Sequence, residues 1–138
     1  MAEKRPDQNN SYVVGNAVDE GQQENQRGWF VGHFIPNDCG LRCTPDVEIK
    51  WGIHPGNEKK PAASSNGEST TLTLLISGLF LISFPELGAT ITLEREGDYV
   101  VSAPGVLHGW KAIKDSVVLT VRWPSVINDK ADVRDKEA

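Results

Sequence analysis

Cysteine, histidine, basic runs and long apolar runs are all scarce in this chain, and each scarcity removes a class of protein. Only two cysteines occur, Cys39 and Cys43, too few for a disulfide scaffold. The longest apolar stretch, Leu72 to Phe84, is broken by Thr73, Ser77, Gly78 and Ser83. It falls short of the ~20 residues that cross a bilayer. Residues 1–26 hold no apolar segment of the secretory-signal kind, so the expected compartment is the cytoplasm. The formal net charge is −5, and residues 27–127 carry nine basic against ten acidic groups with no basic run. Neither a nucleic acid nor an anionic membrane is therefore an expected partner. A glycine-rich phosphate loop and a Gly-x-Ser-x-Gly turn are absent too. Glu94, Glu96 and Asp98 flank Gly97, which suits a solvated turn better than a catalytic carboxylate pair.

What remains is one domain of 138 residues. Residues 1–26 are rich in Gln, Asn, Asp and Glu and read as a flexible arm, with an ordered piece expected at most near 11–14. Residues 128–138 read as a charged, flexible tail. The core, 27–127, reads as strands. Trp29, Val31, His33 and Ile35 alternate with Phe30, Gly32 and Phe34; Val47, Ile49, Trp51 and Ile53 alternate with Glu48, Lys50, Gly52 and His54. Thr70–Ile76 and Leu79–Phe84 follow, joined at Ser77-Gly78 as a predicted hairpin. Further strands are predicted at 90–93, 99–102, 106–112 and 116–123, separated by turn residues. Eight short strands without a helical stripe predict an all-β sandwich or barrel. Closing the sheet removes its aggregation-prone edges and encloses an interior able to hold a ligand.

Of the three histidines, His108 has the most informative setting. A Gly97-Asp98 turn starts one strand, a Pro104-Gly105 turn ends it, and His108 follows. If its ring points into a barrel, it can meet a metal or a polar ligand. Trp110 shares its face by period-two alternation, so it is the pocket tryptophan. Trp29 and Trp51 share faces with Val31 and Ile53 and are expected in packing; Trp123 stands beside Arg122, which is either an anion anchor or a surface ion-pair residue.

Gly97, Gly105 and His108 together resemble the second motif of the cupin superfamily, with Pro104 one place later than usual and Ala112 where an asparagine often stands. The resemblance covers about residues 45–123 and implies a double-stranded β-helix, or jelly-roll barrel, whose histidine is a metal ligand. The first cupin motif is degenerate. Gly78 matches its closing glycine, but counting from Gly56 puts Ala62, Ser64 and Glu68 at the two histidines and the glutamate, and counting back from Gly78 puts Thr71 at the glutamate. The resemblance also implies a homodimer, and the Leu72–Phe84 stretch is compatible with its interface.

Two functions stay open. The first is a metal-free or weakly metal-binding cupin that binds a small molecule, sensing or regulatory in role; His108, Trp110, His54 and His33 are its pocket candidates. The second is a metal-dependent enzyme of the dioxygenase or isomerase type, with one divalent ion (Fe, Mn, Ni or Zn) on His108 with His54, His33 or Glu68. It requires about three converging ligands. Each of His33 and His54 taken alone reads as a hydrogen-bonded structural residue. A zinc set of Cys39, Cys43, His33 and His54 is disfavoured because the histidines fall in strand patterns. A third role, a barrel filled by side chains with a protein partner, would leave no cavity beside His108.

Overall fold

The computed structural model describes residues 11–23, 25–127 and 129–132. The flexibility expected of residues 1–10 and 133–138 lies outside the described residues. Ten strands form among the described residues: β1 (Trp29–Val31), β2 (Glu48–His54), β3 (Ser64–Asn66), β4 (Thr70–Ser77), β5 (Phe80–Phe84), β6 (Ala89–Leu93), β7 (Tyr99–Ser102), β8 (Gly109–Ala112), β9 (Ser116–Trp123) and β10 (Lys130–Asp132). One antiparallel sheet runs β1-β2-β9-β4-β7, a second runs β6-β5-β8, and β10 pairs with β3. The all-β expectation therefore holds, and the sheets face each other as two layers of a barrel.

Several local expectations give way. β4 and β5 are not a hairpin: β4 pairs with β7 and β9, while β5 pairs with β6 and β8. The Ser77-Gly78 turn carries the chain from one sheet to the other. Gly78 is needed there, since it has φ +109° and a Cβ would lie 2.5 Å from the Asp115 carbonyl oxygen. β1 ends at Val31 because the chain turns at Gly32 (φ +154°), so His33 is not on a strand. Part of the predicted arm forms a short helix, α1 (Ala17–Gly21), whose N-cap Asn16 accepts from the backbone N–H groups of Val18 and Asp19. Part of the predicted tail is β10.

Why the layers close is clear from the inward side chains. Leu75, Phe80, Ile82, Phe84, Leu93, Ala112 and Val118 form a buried cluster between the sheets. Burying apolar side chains of this size stabilises by about 1.5–3 kcal/mol each. The rest of the large sheet is built the other way round. Its inward positions include Glu48, Lys50, His54, Thr71, Thr73, Thr120 and Arg122. Its outward rows, set by the register, are Ile49–Val121–Leu72–Val101 and Trp51–Leu119–Leu74–Tyr99. Trp51 accordingly lies outside, with Ile53 55% exposed. The Leu72–Phe84 stretch splits: Leu72 and Leu74 face out, while Leu75, Phe80, Ile82 and Phe84 are buried.

Candidate functional site

A cavity of about 270 Å³ lies between the sheets above the apolar cluster, close to the smaller end of the ~300–1,000 Å³ typical of ligand pockets. Its floor includes Phe80, Ile82 and Val118; its walls include Trp29, Trp110, His54, His108, three threonines (Thr71, Thr73, Thr120) and four cations (Arg27, Lys50, Lys60, Arg122). No acidic residue is among the described lining residues. An outer groove of about 680 Å³, between β2 and the segment before β3, adjoins this cavity and shares Arg27, Lys50, His54, Pro61 and Trp110 with it.

His108 is brought in by the turn that the sequence marked. Gly105, with φ +82°, reverses the chain and donates its N–H to the Asn66 carbonyl (2.6 Å). The backbones of His108 and Ser64 then exchange two hydrogen bonds (2.8 and 2.9 Å). The residue is 9% exposed, and its ring Nδ1 lies 3.2 Å from the Val106 carbonyl. A carbonyl only accepts, so Nδ1 carries the proton.

The segment after β2 runs along β8, with Lys60 N–H donating to the Trp110 carbonyl (3.0 Å) and Ala112 N–H to the Glu58 carbonyl (2.8 Å). That pairing sets Glu58 against His54: the imidazole Nδ1 is 2.5 Å from Glu58 Oε1. The His54 ring packs on Trp110 (4.5 Å between centroids) and Phe80 (5.4 Å), and Phe80 stacks on Trp110 at 5.3 Å. Burial, the largest influence, lowers the His54 pKa below its ordinary value; the Glu58 bond opposes it and Lys50 assists it. His54 is therefore a neutral imidazole at pH 7. Gly52 explains how the ring fits, because a Cβ there would lie 2.7 Å from His54 Nε2.

On the other side of the cavity, Arg122 Nη1 pairs with Glu48 Oε2 at 3.1 Å. The guanidinium stands over the Trp29 ring (4.7 Å), and Lys50 Nζ approaches the same ring (5.7 Å). Ser125 donates its hydroxyl to Glu48 Oε1 (2.7 Å). Two buried polar atoms of the described residues lack a partner: Arg122 Nε and Asn66 Oδ1. Both residues line a neighbouring side pocket of about 460 Å³, which shares Arg27, Trp29 and Arg122 with the cavity.

Of the expected site residues, His108, His54 and Trp110 come together in one wall. His33 does not: its Nδ1 lies 2.6 Å from Ser125 Oγ, and its ring sits behind Glu48 at 3.8 Å. Glu68 lies in an exposed turn, its backbone N–H bonded to Asp129. The proposed metal set is thus dispersed. Among the described residues no group of three His, Cys, Asp or Glu is spaced to hold a metal ion. The donor set does not fit a divalent ion: two imidazoles remain, the carboxylate beside them, Glu58, is bonded to His54 Nδ1, and the cations of the wall would repel the ion. Cys39 and Cys43 are free thiols, in the loop of 3-10 turns between β1 and β2. Trp29, expected in packing, lines the cavity.

Sequence reasoning missed Arg27, Lys50, Lys60 and Glu58. A signal existed for Lys50, which shares the alternating face of Glu48 and His54. Lys60 and Glu58 sit in a segment without strand periodicity and are placed only by its pairing to β8.

No family model matches the chain, and no curated protein matches it by sequence. Solved structures do match it in fold. A conserved protein with a double-stranded β-helix domain from Klebsiella pneumoniae subsp. pneumoniae gives a TM-score of 0.64 over 88% of this chain and 97% of its own, at 15% identity. KdgF from Halomonas sp. gives 0.52 over 59% and 72%, at 20% identity. A cupin protein from Bacteroides fragilis gives 0.51 over 59% and 69%, at 21% identity. Identities this low speak to architecture alone. With the two facing sheets, these structures show that the chain has a double-stranded β-helix fold.

Proposed function

We propose that this protein is a cytoplasmic small-molecule-binding barrel, sensing or regulatory in role, that works without a bound metal. The observation that supports it is the inverted sheet. Polar and charged side chains of β2, β4 and β9 face an enclosed space, while the apolar residues of the same strands face outward. Burying so many polar groups costs stability unless something uses them. Trp110 offers a flat face, and the groove beside it offers a way in. The test is a fragment screen by NMR with mapping of amide shifts. Hits should perturb His54, Thr120 and Trp110 and should disappear in a cavity-filling Thr73→Phe variant. Hits that map elsewhere and survive the filling would sink the reading.

The metal-enzyme alternative is tested directly. Fe, Mn, Ni or Zn added to the protein should leave its melting temperature unchanged. Stoichiometric metal in untagged protein that disappears in His108→Ala would reverse the preference.

We also propose that two copies pair through the outer face of the five-stranded sheet. The rows Ile49–Val121–Leu72–Val101 and Trp51–Leu119–Leu74–Tyr99 contain no charge. A two-fold interface sets each patch against itself, so an uncharged apolar patch avoids self-repulsion. Light scattering after size exclusion should give twice the chain mass of 15.1 kDa. Leu74→Lys should halve it; a monomeric parent protein would refute the pairing.

A further inference from the structure

We infer that the molecule taken by the barrel is a small, flat one with an O–H or N–H donor on its edge, a phenol or an azole in kind, and that His54 Nε2 accepts this donor. The inference rests on the small-molecule reading above. His54 Nδ1 lies 2.5 Å from Glu58 Oε1. A carboxylate only accepts, so Nδ1 carries the proton and Nε2 holds a lone pair. Among the described residues Nε2 has no hydrogen-bond partner. It is not closed in either: the sealed, unpartnered side-chain atoms of the described residues are Arg122 Nε and Asn66 Oδ1. Nε2 therefore keeps an open surface, on a ring that lines both the groove and the cavity. β2 leaves that surface uncovered because residue 52 is glycine; a Cβ there would press on Nε2 at 2.7 Å.

The acceptor is also fixed in direction. Glu58 holds one edge of the ring, and Trp110 and Phe80 pack against it at 4.5 and 5.4 Å. Burial keeps the imidazole neutral at pH 7, so the lone pair stays available. The residue is largely withdrawn from bulk water, and an acceptor so placed discriminates for a ligand that can donate. A carboxylate has no donor at pH 7 and would set its lone pairs against that of Nε2. Trp29, Phe80 and Trp110 among the lining residues favour a flat ligand.

The experiment compares matched probes by isothermal titration calorimetry and amide-shift mapping: phenol against anisole, pyrazole against 1-methylpyrazole, and benzoate. Each donor should bind beside His54 at least about tenfold tighter than its methylated partner, and phenol tighter than benzoate. Tighter binding of phenol than of pyrazole would assign the donor to a hydroxyl; the reverse would assign it to a ring N–H. His54→Phe, which keeps an aromatic ring against Trp110, should abolish the preference. Glu58→Gln alters a residue whose side chain is 43% exposed and leaves the core alone. Its amide can donate to Nδ1 and let the proton move to Nε2, so the preference should fall severalfold. Ring nitrogen NMR shifts should place the proton on Nδ1 in the parent protein. A proton on Nε2, ethers that bind as tightly as donors, benzoate tighter than phenol, or a preference unchanged in both variants would each overturn the proposal. The barrel reading survives any of these while the probes still shift Thr120 and Trp110. Donors that shift only the outer surface, or bind nowhere up to about 10 mM, also overturn it; the wider fragment screen with Thr73→Phe then decides the barrel reading on its own.

Discussion

Glu48 on β2 and Arg122 on β9 stand directly opposite each other in the sheet, and their side chains meet at 3.1 Å inside the barrel. Both are largely withdrawn from water, so each depends on the other. Removing one leaves a buried charge unpaired, which costs about 3–5 kcal/mol in such sites. We predict that Glu48→Ala and Arg122→Ala each lower urea stability by about 3 kcal/mol. The double variant should be clearly more stable than the two losses added together. Strict additivity would mean that the pair contributes nothing.

Gly52 is tied to His54 by space alone. A methyl group on the Gly52 Cα would overlap the imidazole Nε2, pushing the ring off Glu58 and Trp110. Gly52→Ala should destabilise by about 1–3 kcal/mol, as overpacking does. His54→Ala in the same chain should recover most of that loss. Thermal melts of the single and double variants decide it; equal melting of Gly52→Ala and the parent would refute the tight fit.

The His54 ring makes stability depend on pH in a defined direction. Burial lowers its folded pKa below the ordinary 6.5, so the unfolded chain binds the proton more readily. Stability is then complete above about pH 6.5 and falls as pH drops from there to the folded pKa, below which this contribution is flat. His54→Gln should remove that part of the slope. An NMR titration of the ring that gave a pKa above 6.5 would contradict it.

Asp129 fastens the chain after β9 to the turn before β4. Its carboxylate accepts from the backbone N–H groups of Glu68 (2.7 Å) and Ser69 (2.9 Å). Partial burial pushes its pKa up, but these bonds outweigh it and the net shift is downward. The associated stability is present above the unfolded pKa, near 3.8, and is lost as pH falls through the lower folded value. Because the group is mostly solvated, Asp129→Ala should cost only about 1 kcal/mol at pH 7. The difference from the parent should vanish below about pH 3. A difference that persists in acid would assign the effect to packing instead.

The strands of the core were legible because period-two alternation and turn residues mark them, and Gly97, Gly105 and His108 marked the inward histidine. Period two alone does not say which face is inside. Trp29 and Trp51 share faces with apolar neighbours, yet Trp29 lines the cavity and Trp51 lies outside, because this sheet turns its polar side inward. β3 is Ser64-Ser65-Asn66, with no apolar signal, and exists through pairing to β10. α1 has five residues, too few to show a stripe. Counting along a motif puts Glu68 in the site, but it falls in the exposed turn between β3 and β4, where its N–H bonds Asp129.

The division between the greasy base, built on Leu75, Leu93 and Ala112, and the hydroxyl-bearing upper wall assigns different tasks to different residues. Rigidity comes from the base. On the proposed small-molecule reading, Thr71, Thr73 and Thr120 would shape what the barrel accepts without being needed to keep it closed, and substitutions there would change the ligand while hardly moving the melting point.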